Sequence, residues 1–244
     1  MKDCHPFSHY IAHRGLHDSA SVDENSYEAF LEACEKGYAI ECDVHLTKDH
    51  KVVIHHDETT GRMMGEDLNI LESDFADLLN LKHKNSKYPM MLLKDLLALV
   101  NGKVPLLIEI KYSNKGRELD RAVSEALKGY SGEFAVQSFD PFSCLWFKKN
   151  NPAIKRGLLI GNFDDVQLSF IRKFALKYFV FVPFVSPDFI GLEWTRGSEY
   201  IAQKIRGLTD LGFIAWTVDT DESYEFCKTY FDNIHDNICL IPQL

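Results

Sequence analysis

The sequence predicts an α/β protein built as a (β/α)8 barrel, and three observations carry that prediction. Short β-rich runs alternate with amphipathic stretches from end to end, the pattern of βαβ units around a parallel sheet. Eight of those runs are spaced widely enough for a helical crossover. The length, 244 residues, is the size that eight such units need. A doubly wound open sheet shares the alternation and competes with the barrel. The chain has no low-complexity stretch, linker or internal repeat, so residues 1–244 read as one domain.

The first strand is expected at 10–13 (YIAH), followed by a helix over 26–36. There Phe30, Leu31 and Cys34 recur on one face, Asn25 or Ser26 stands as N-cap, and Gly37 is placed to end the helix. The second strand, 39–45 (AIECDVH), is followed too closely by 52–56 (VVIHH) for a helix to intervene. Only an antiparallel partner can be reached by so short a turn, so 52–56 reads as a hairpin excursion. The remaining strands are expected at 105–110, 134–138, 156–160, 178–184, 213–218 and 237–241. Helices are expected at 93–100, 117–130, 164–176, 199–211 and 221–231. In 118–127 an apolar stripe runs through Leu119, Ala122, Val123, Ala126 and Leu127.

Composition bounds the function. With 45% hydrophobic and 26% charged residues the chain is not globally disordered. Lys and Arg number 27 against 36 Asp and Glu, a net charge of −9, which argues against nucleic acid as a partner. An anionic substrate remains open, because a bound cation reverses the local field. Six cysteines without a CxxC pair read as reduced thiols of a cytoplasmic protein. The N-terminal MKDCHPFSHY lacks an apolar core and no uncharged apolar run reaches 18 residues, so neither signal peptide nor membrane span is expected.

A barrel of this kind builds its active site at the carboxyl ends of its strands, and that is where the polar residues gather. The first strand ends in His13-Arg14-Gly15, the second carries Glu41 and Asp43, the hairpin ends in His56-Asp57, and 105–110 brings Glu109 with Lys111 beyond it. Glu41 and Asp43 are two apart on a strand and share a face, whereas Cys42 between them faces away into packing. Three converging carboxylates without a thiolate cluster suit one hard divalent cation, Mg2+ or Ca2+. His13 and His56 fit general acid–base work near neutrality. His55 points to the opposite face from His56, so only one of the two shares the site. Arg14 and Lys111 stand ready for phosphate oxygens or for salt bridges with the neighbouring acids. Glu24-Asn25-Ser26 reads mainly as a helix start, and Trp216 either stacks on a substrate group or belongs to the core.

These motifs resemble the glycerophosphodiester phosphodiesterase family. His13-Arg14-Gly15, Glu24-Asn25-Ser26, Glu41-x-Asp43, Thr47-x-Asp49, His56-Asp57 and the following ETTGR with Arg62 occur in that family's order and spacing. Weaker similarity runs through Glu109-Ile110-Lys111, Gln137-Ser138-Phe139 and Trp216-Thr217-Val218-Asp219. The chain departs from the pattern at Asp49-His50, where Asp-Gly is usual, at Asp219, where Asn is usual, and in a tail without Thr-Asp. The resemblance implies a TIM barrel with a small insertion after the second strand, about 57–95. It makes Glu41, Asp43 and Glu109 the metal ligands, His13 and His56 the acid–base pair, and Arg14 and Lys111 the phosphate contacts. The implied reaction is hydrolysis of a small glycerophosphodiester to sn-glycerol 3-phosphate and an alcohol. A lysophospholipase D or sphingomyelinase D-like activity on lipids is the alternative, with Phe179, Phe181, Phe184, Phe189 and Trp194 as candidate groove residues. A binding-only barrel is disfavoured, since binding needs no acid–base pair.

Overall fold

The computed structural model describes residues 10–18, 20–161, 181–195, 198–206, 209 and 211–236. Among them, eight strands run parallel around a barrel: β1 (Ile11–Ala12), β2 (Ala39–Leu46), β4 (Leu106–Ile110), β5 (Phe134–Ser138), β6 (Lys155–Ile160), β7 (Phe189–Glu193), β8 (Gly212–Val218) and β9 (Asn233–Asp236). β9 pairs in parallel with β1, and β1 with β2, which closes the ring. β3 (Val52–Ile54) is antiparallel to β2. β2 is eight residues long, so one edge serves two partners: Ala39 and Ile40 pair with β1, and Val44–Leu46 pair with β3 above it. The hairpin therefore rises past the end of β1 and turns back toward the barrel mouth. His50 takes a left-handed φ of 61° in that turn, a conformation in which glycine is strain-free.

The helices follow α1 (Tyr27–Lys36), α2 (Gly61–Met64), α3 (Phe75–Leu78), α4 (Leu93–Val100), α5 (Glu118–Ala126), α6 (Pro141–Asn150), α7 (Val182–Val185), α8 (Ser198–Arg206) and α9 (Asp221–Tyr230). Ser26 is the N-cap of α1, its hydroxyl accepting from the Ala29 N–H, and Gly37 ends the helix at φ 74°. α4 falls on the expected 93–100, and α5 stops at Ala126, short of the expected 130.

Three elements differ from the sequence expectation. The sixth barrel strand is not at 178–184, of which 178–180 lie outside the described residues. The described part of that run enters α7 at Val182, with Pro183 in the first turn, and the strand lies at Phe189–Glu193. The closing strand is Asn233–Asp236, built from poor strand formers, while the expected 237–241 and the helix at 164–176 lie outside the described residues. α6 was not anticipated, although Asp140 caps it through the Phe142 N–H and Pro141 opens it.

The barrel floor is apolar: Ile11, Ala39, Leu107, Ala135, Phe189 and Ile214 form a fully buried cluster. Gly157 is part of that layer by necessity, because a Cβ there would overlap the Phe189 ring. The outward faces of the strands, including Cys42, pack against α1, α4 and α5. The segment between β3 and α4 encloses a further apolar cluster of Val53, Met64, Ile70, Leu78, Leu81, Met90 and Leu92. Among the described residues no helix is long and apolar enough to cross a membrane.

Overpacking the floor tests this layering. Gly157→Ala is expected to cost about 1–3 kcal/mol in urea unfolding. Combining it with Phe189→Leu should cost less than the sum of the two single changes, because the methyl and the ring compete for one space. Strict additivity would place the two residues in separate layers.

Candidate active site

The floor ends where β2 and β4 turn acidic. Glu41 and Asp43 point inward from β2, and Glu109 stands beside Asp43 in register on β4. All three are buried, and each offers an oxygen within 4.8 Å of the others'. Two cations answer them. Lys111 Nζ lies 2.8 Å from Asp43 Oδ1 and 2.6 Å from Glu109 Oε1. Arg14 sets its Nε 3.4 Å from Asp43 Oδ2 and donates its backbone N–H to Glu41 Oε2 at 2.9 Å. The Asn25 amide donates to Asp43 Oδ2 at 2.8 Å.

The balance is uneven among the acids. Burial works to raise the Asp43 carboxyl, but Lys111, Arg14 and His56 outweigh it and hold it well below the usual range. Glu41 goes the other way: burial first, then the charges of Asp43 and Glu109, push its carboxyl well up. Its Oε1 is buried and, among the described residues, has no hydrogen-bond partner. Three acids against two cations, with one carboxylate oxygen unanswered, is a donor set that a hard divalent cation fits. For Lys111, burial opposes protonation, yet Asp43 and Glu109 raise its pKa and keep it charged.

Two turns bring these groups together. Arg14 and Asn25 adopt left-handed φ values of 57° and 53°, and the Asn25 N–H donates to the Arg14 carbonyl at 2.9 Å. Gly15 follows at φ 80°, pressed so closely on α1 that a Cβ would stand 2.9 Å from the Ala29 carbonyl carbon. Only glycine permits that approach.

His13 leaves the end of β1, and His56 follows β3 as the hairpin returns. His56 Nδ1 lies 2.7 Å from Asp57 Oδ1. Burial alone would raise the Asp57 carboxyl, but Arg62 and His56 bring it down to about 2, so it accepts. Nδ1 therefore donates to Asp57, and Nε2 is the ring nitrogen outside that contact. Arg62 extends the chain of contacts, its Nε donating to Asp57 Oδ2 at 2.6 Å and its Nη2 to Glu24 Oε1 at 2.6 Å. Glu24 Oε1 also receives Arg14 Nη1 at 2.8 Å. An unbroken line of charged hydrogen bonds thus runs from His56 to Arg14. His45, two residues beyond Asp43, sets its Nε2 3.1 Å from the His56 carbonyl. Burial lowers its pKa to about 4, so it is neutral.

Of the residues singled out in the sequence, Arg14, Glu41, Asp43, Glu109 and Lys111 share one contact network, and His56 joins it through Asp57, Arg62 and Glu24. His55 lies apart and buried, its Nε2 3.1 Å from the Thr59 carbonyl. Glu24 and Asn25, read as parts of a helix start, are members of the network, while the capping falls to Ser26 alone. His45 was not singled out, although the same two-residue alternation that pairs Glu41 with Asp43 places it on their face.

Comparison with known proteins agrees with this geometry. The model of the glycerophosphoryl diester phosphodiesterase family matches residues 13–232. A glycerophosphodiester phosphodiesterase of Caldanaerobacter subterraneus is 33% identical over 164 residues, covering 61% of this chain and 65% of the relative. A human lysophospholipase D is 31% identical over 141 residues, covering 52% of this chain and 43% of the relative. In fold, the chain superposes with a TM-score of 0.77 on an Oleispira antarctica phosphodiesterase solved with its product sn-glycerol 3-phosphate, at 19% identity and covering 94% and 93% of the two chains. The chain belongs to the glycerophosphoryl diester phosphodiesterase family and is a phosphoric diester hydrolase.

Proposed function

We propose that the protein cleaves small glycerophosphodiesters to sn-glycerol 3-phosphate and an alcohol, at a divalent cation held by Glu41, Asp43 and Glu109. The observation that carries this reading is the buried acidic trio with its unanswered Glu41 Oε1, next to an imidazole oriented by a carboxylate. A bound Mg2+ or Ca2+ would supply charge compensation for the non-bridging phosphate oxygens. Arg14 and Lys111 orient the same phosphate group, and the neighbouring acids keep both protonated. One of His13 and His56 removes the proton of the attacking hydroxyl and the other protonates the departing alkoxide. Asp57 holds His56 in the tautomer whose Nε2 exchanges that proton. The reading includes one barrel domain with the stretch after β3 as an insertion. Free Cys34, Cys42, Cys144 and Cys227 support a cytoplasmic setting.

A second reading has its own support. Phe142 and Phe184 are 60% and 70% exposed, and Phe142 contacts the Phe181 ring. Such a patch could receive an acyl chain, which would make lysophospholipids substrates as they are for the human relative.

Three measurements examine these assignments. EDTA should abolish turnover of glycerophosphocholine and Mg2+, Ca2+ or Mn2+ should restore it, while Glu41→Gln stays folded and inactive; full activity in a metal-free preparation would sink the cation site. His13→Ala and His56→Ala should each lower kcat by roughly 10²–10⁴, and the double variant should lose much less than the product. His55→Ala should cost stability more than kcat, and the reverse pattern would mean that the histidine assignment is shifted by one. Finally, kcat/KM for a choline diester with and without an acyl chain, in matched detergent, should favour the unacylated form. Faster cleavage of the acylated form would replace the first reading by the second.

A further inference from the structure

The stretch between β3 and α4 carries near its end a loop, residues 83–88 (HKNSKY), to which the preceding chemistry gives no task. The loop grips the chain around the start of α1 at two acids. Asn85 meets both oxygens of Asp23, its backbone N–H donating to Oδ2 at 2.7 Å and its side-chain amide to Oδ1 at 2.9 Å. Ser86 donates its hydroxyl to Glu28 Oε2 at 2.6 Å, and the Lys87 N–H donates to Glu28 Oε1 at 3.2 Å. The Tyr88 and Tyr27 rings lie against each other with centroids 4.1 Å apart. At the start of the loop, the buried His83 sets its ring 6.4 Å from that of His55, the neighbour of His56.

The two gripped acids bracket Asn25, which serves the acidic trio. Asn25 holds a φ of 53° while its amide reaches Asp43 at 2.8 Å. A residue other than glycine keeps such a backbone only where its surroundings hold it there. One hold is the Arg14 carbonyl, which accepts the Asn25 N–H. Another is Asp23, two residues away. Asp23 is 3% exposed, so its carboxylate must be answered by hydrogen bonds, and Asn85 supplies two of them from 62 positions along the chain. We propose that the 83–88 loop braces the active site and that Asn85 is a positioning residue: by fixing Asp23 it keeps the Asn25 amide on Asp43. The proposal rests on the phosphodiesterase reading above and gives the stretch after β3 a part in it.

Hydrogen exchange and kinetics together test the brace. Asn85 is exposed, so Asn85→Ala leaves the core intact and removes one hydrogen bond to a carboxylate. Read without substrate, exchange of the amides in 22–26 should quicken roughly 10- to 100-fold, while those of β4 and β5 keep wild-type rates. With bis(p-nitrophenyl) phosphate and Mg2+, kcat should fall about three- to tenfold. KM should stay within about twofold, because the side chains gripped are Asp23 and Glu28 and not Arg14 or Lys111. Asn25→Gly keeps the left-handed backbone and removes the amide. In that background Asn85→Ala should cost about twofold or less in kcat, since the amide it acts through is gone. Ser86→Ala, which unties Glu28 and leaves Asp23 gripped, should move exchange and kcat in the same directions. Wild-type exchange in 22–26, faster exchange with wild-type kcat, or an equal loss of kcat in both backgrounds would overturn the positioning role. Wild-type turnover separates the two levels. A wild type that cleaves no phosphodiester sinks the phosphodiesterase reading and the positioning role with it; one that does, with Asn85→Ala at full kcat, sinks the positioning role alone.

Discussion

Carboxylates removed from water must be answered by positive charge or by hydrogen bonds, and Glu41, Asp43 and Glu109 impose that demand on everything around the barrel mouth. Lys111 reaches up from β4 to bridge two of them. Arg14 and Asn25 accept left-handed backbones so that a guanidinium and an amide meet Asp43. Gly15 gives up its side chain to let that turn lie against α1. The strain of the two turns is retained because the buried charge would be far more costly without them. Even so, the answer is incomplete at Glu41, which is where the site asks for something beyond the polypeptide.

The second organising device is the line His56–Asp57–Arg62–Glu24–Arg14. Its members come from the returning hairpin, the short α2 and the loop before α1. Opposite charges alternate along the line, so each carboxylate is shared by two donors: burial opposes ionisation of Glu24, yet Arg62 and Arg14 bring it down to about 2. Orientation of His56 therefore depends on residues as distant in sequence as Arg14 and Glu24, and a charge lost anywhere along the line reaches the imidazole through its neighbour.

The parts of this architecture that were legible in the sequence are those in which local pattern and final environment agree. The alternation in 39–45 announced a buried strand and put Glu41 and Asp43 on one face, as the barrel does. Strand β7 was not legible, because Gly191 weakens a strand signal while serving a close approach to Leu159 and Trp216. The neighbouring run 178–184 looked more strand-like through its aromatic and β-branched residues, but Pro183 opens a helical turn there. Strand β9 was hidden by its polarity, since Asn233-Ile234-His235-Asp236 becomes a strand by closing a ring and not by propensity. Glu24 and Asn25 were read mainly as a helix start for a related reason: a local capping role covered most of what they do until the fold brought β2 alongside.

The shortness of β1 has a consequence for how the molecule comes into being. Only Ile11 and Ala12 represent it in the ring, matched to two residues of β2 on one side and two of β9 on the other. One of those partners is the second strand in chain order and the other is β9, at Asn233–Asp236. On the ribosome, β1 can lie against β2 early, yet its second edge stays bare until Asn233–Asp236 has emerged. His13 and Arg14 hang from that half-secured stave. The acids on β2 and β4 are synthesised and gathered first, and the turn that carries His13 and Arg14 is locked in place by β9, so a chain cut short before β9 would hold the buried charge on an open stave.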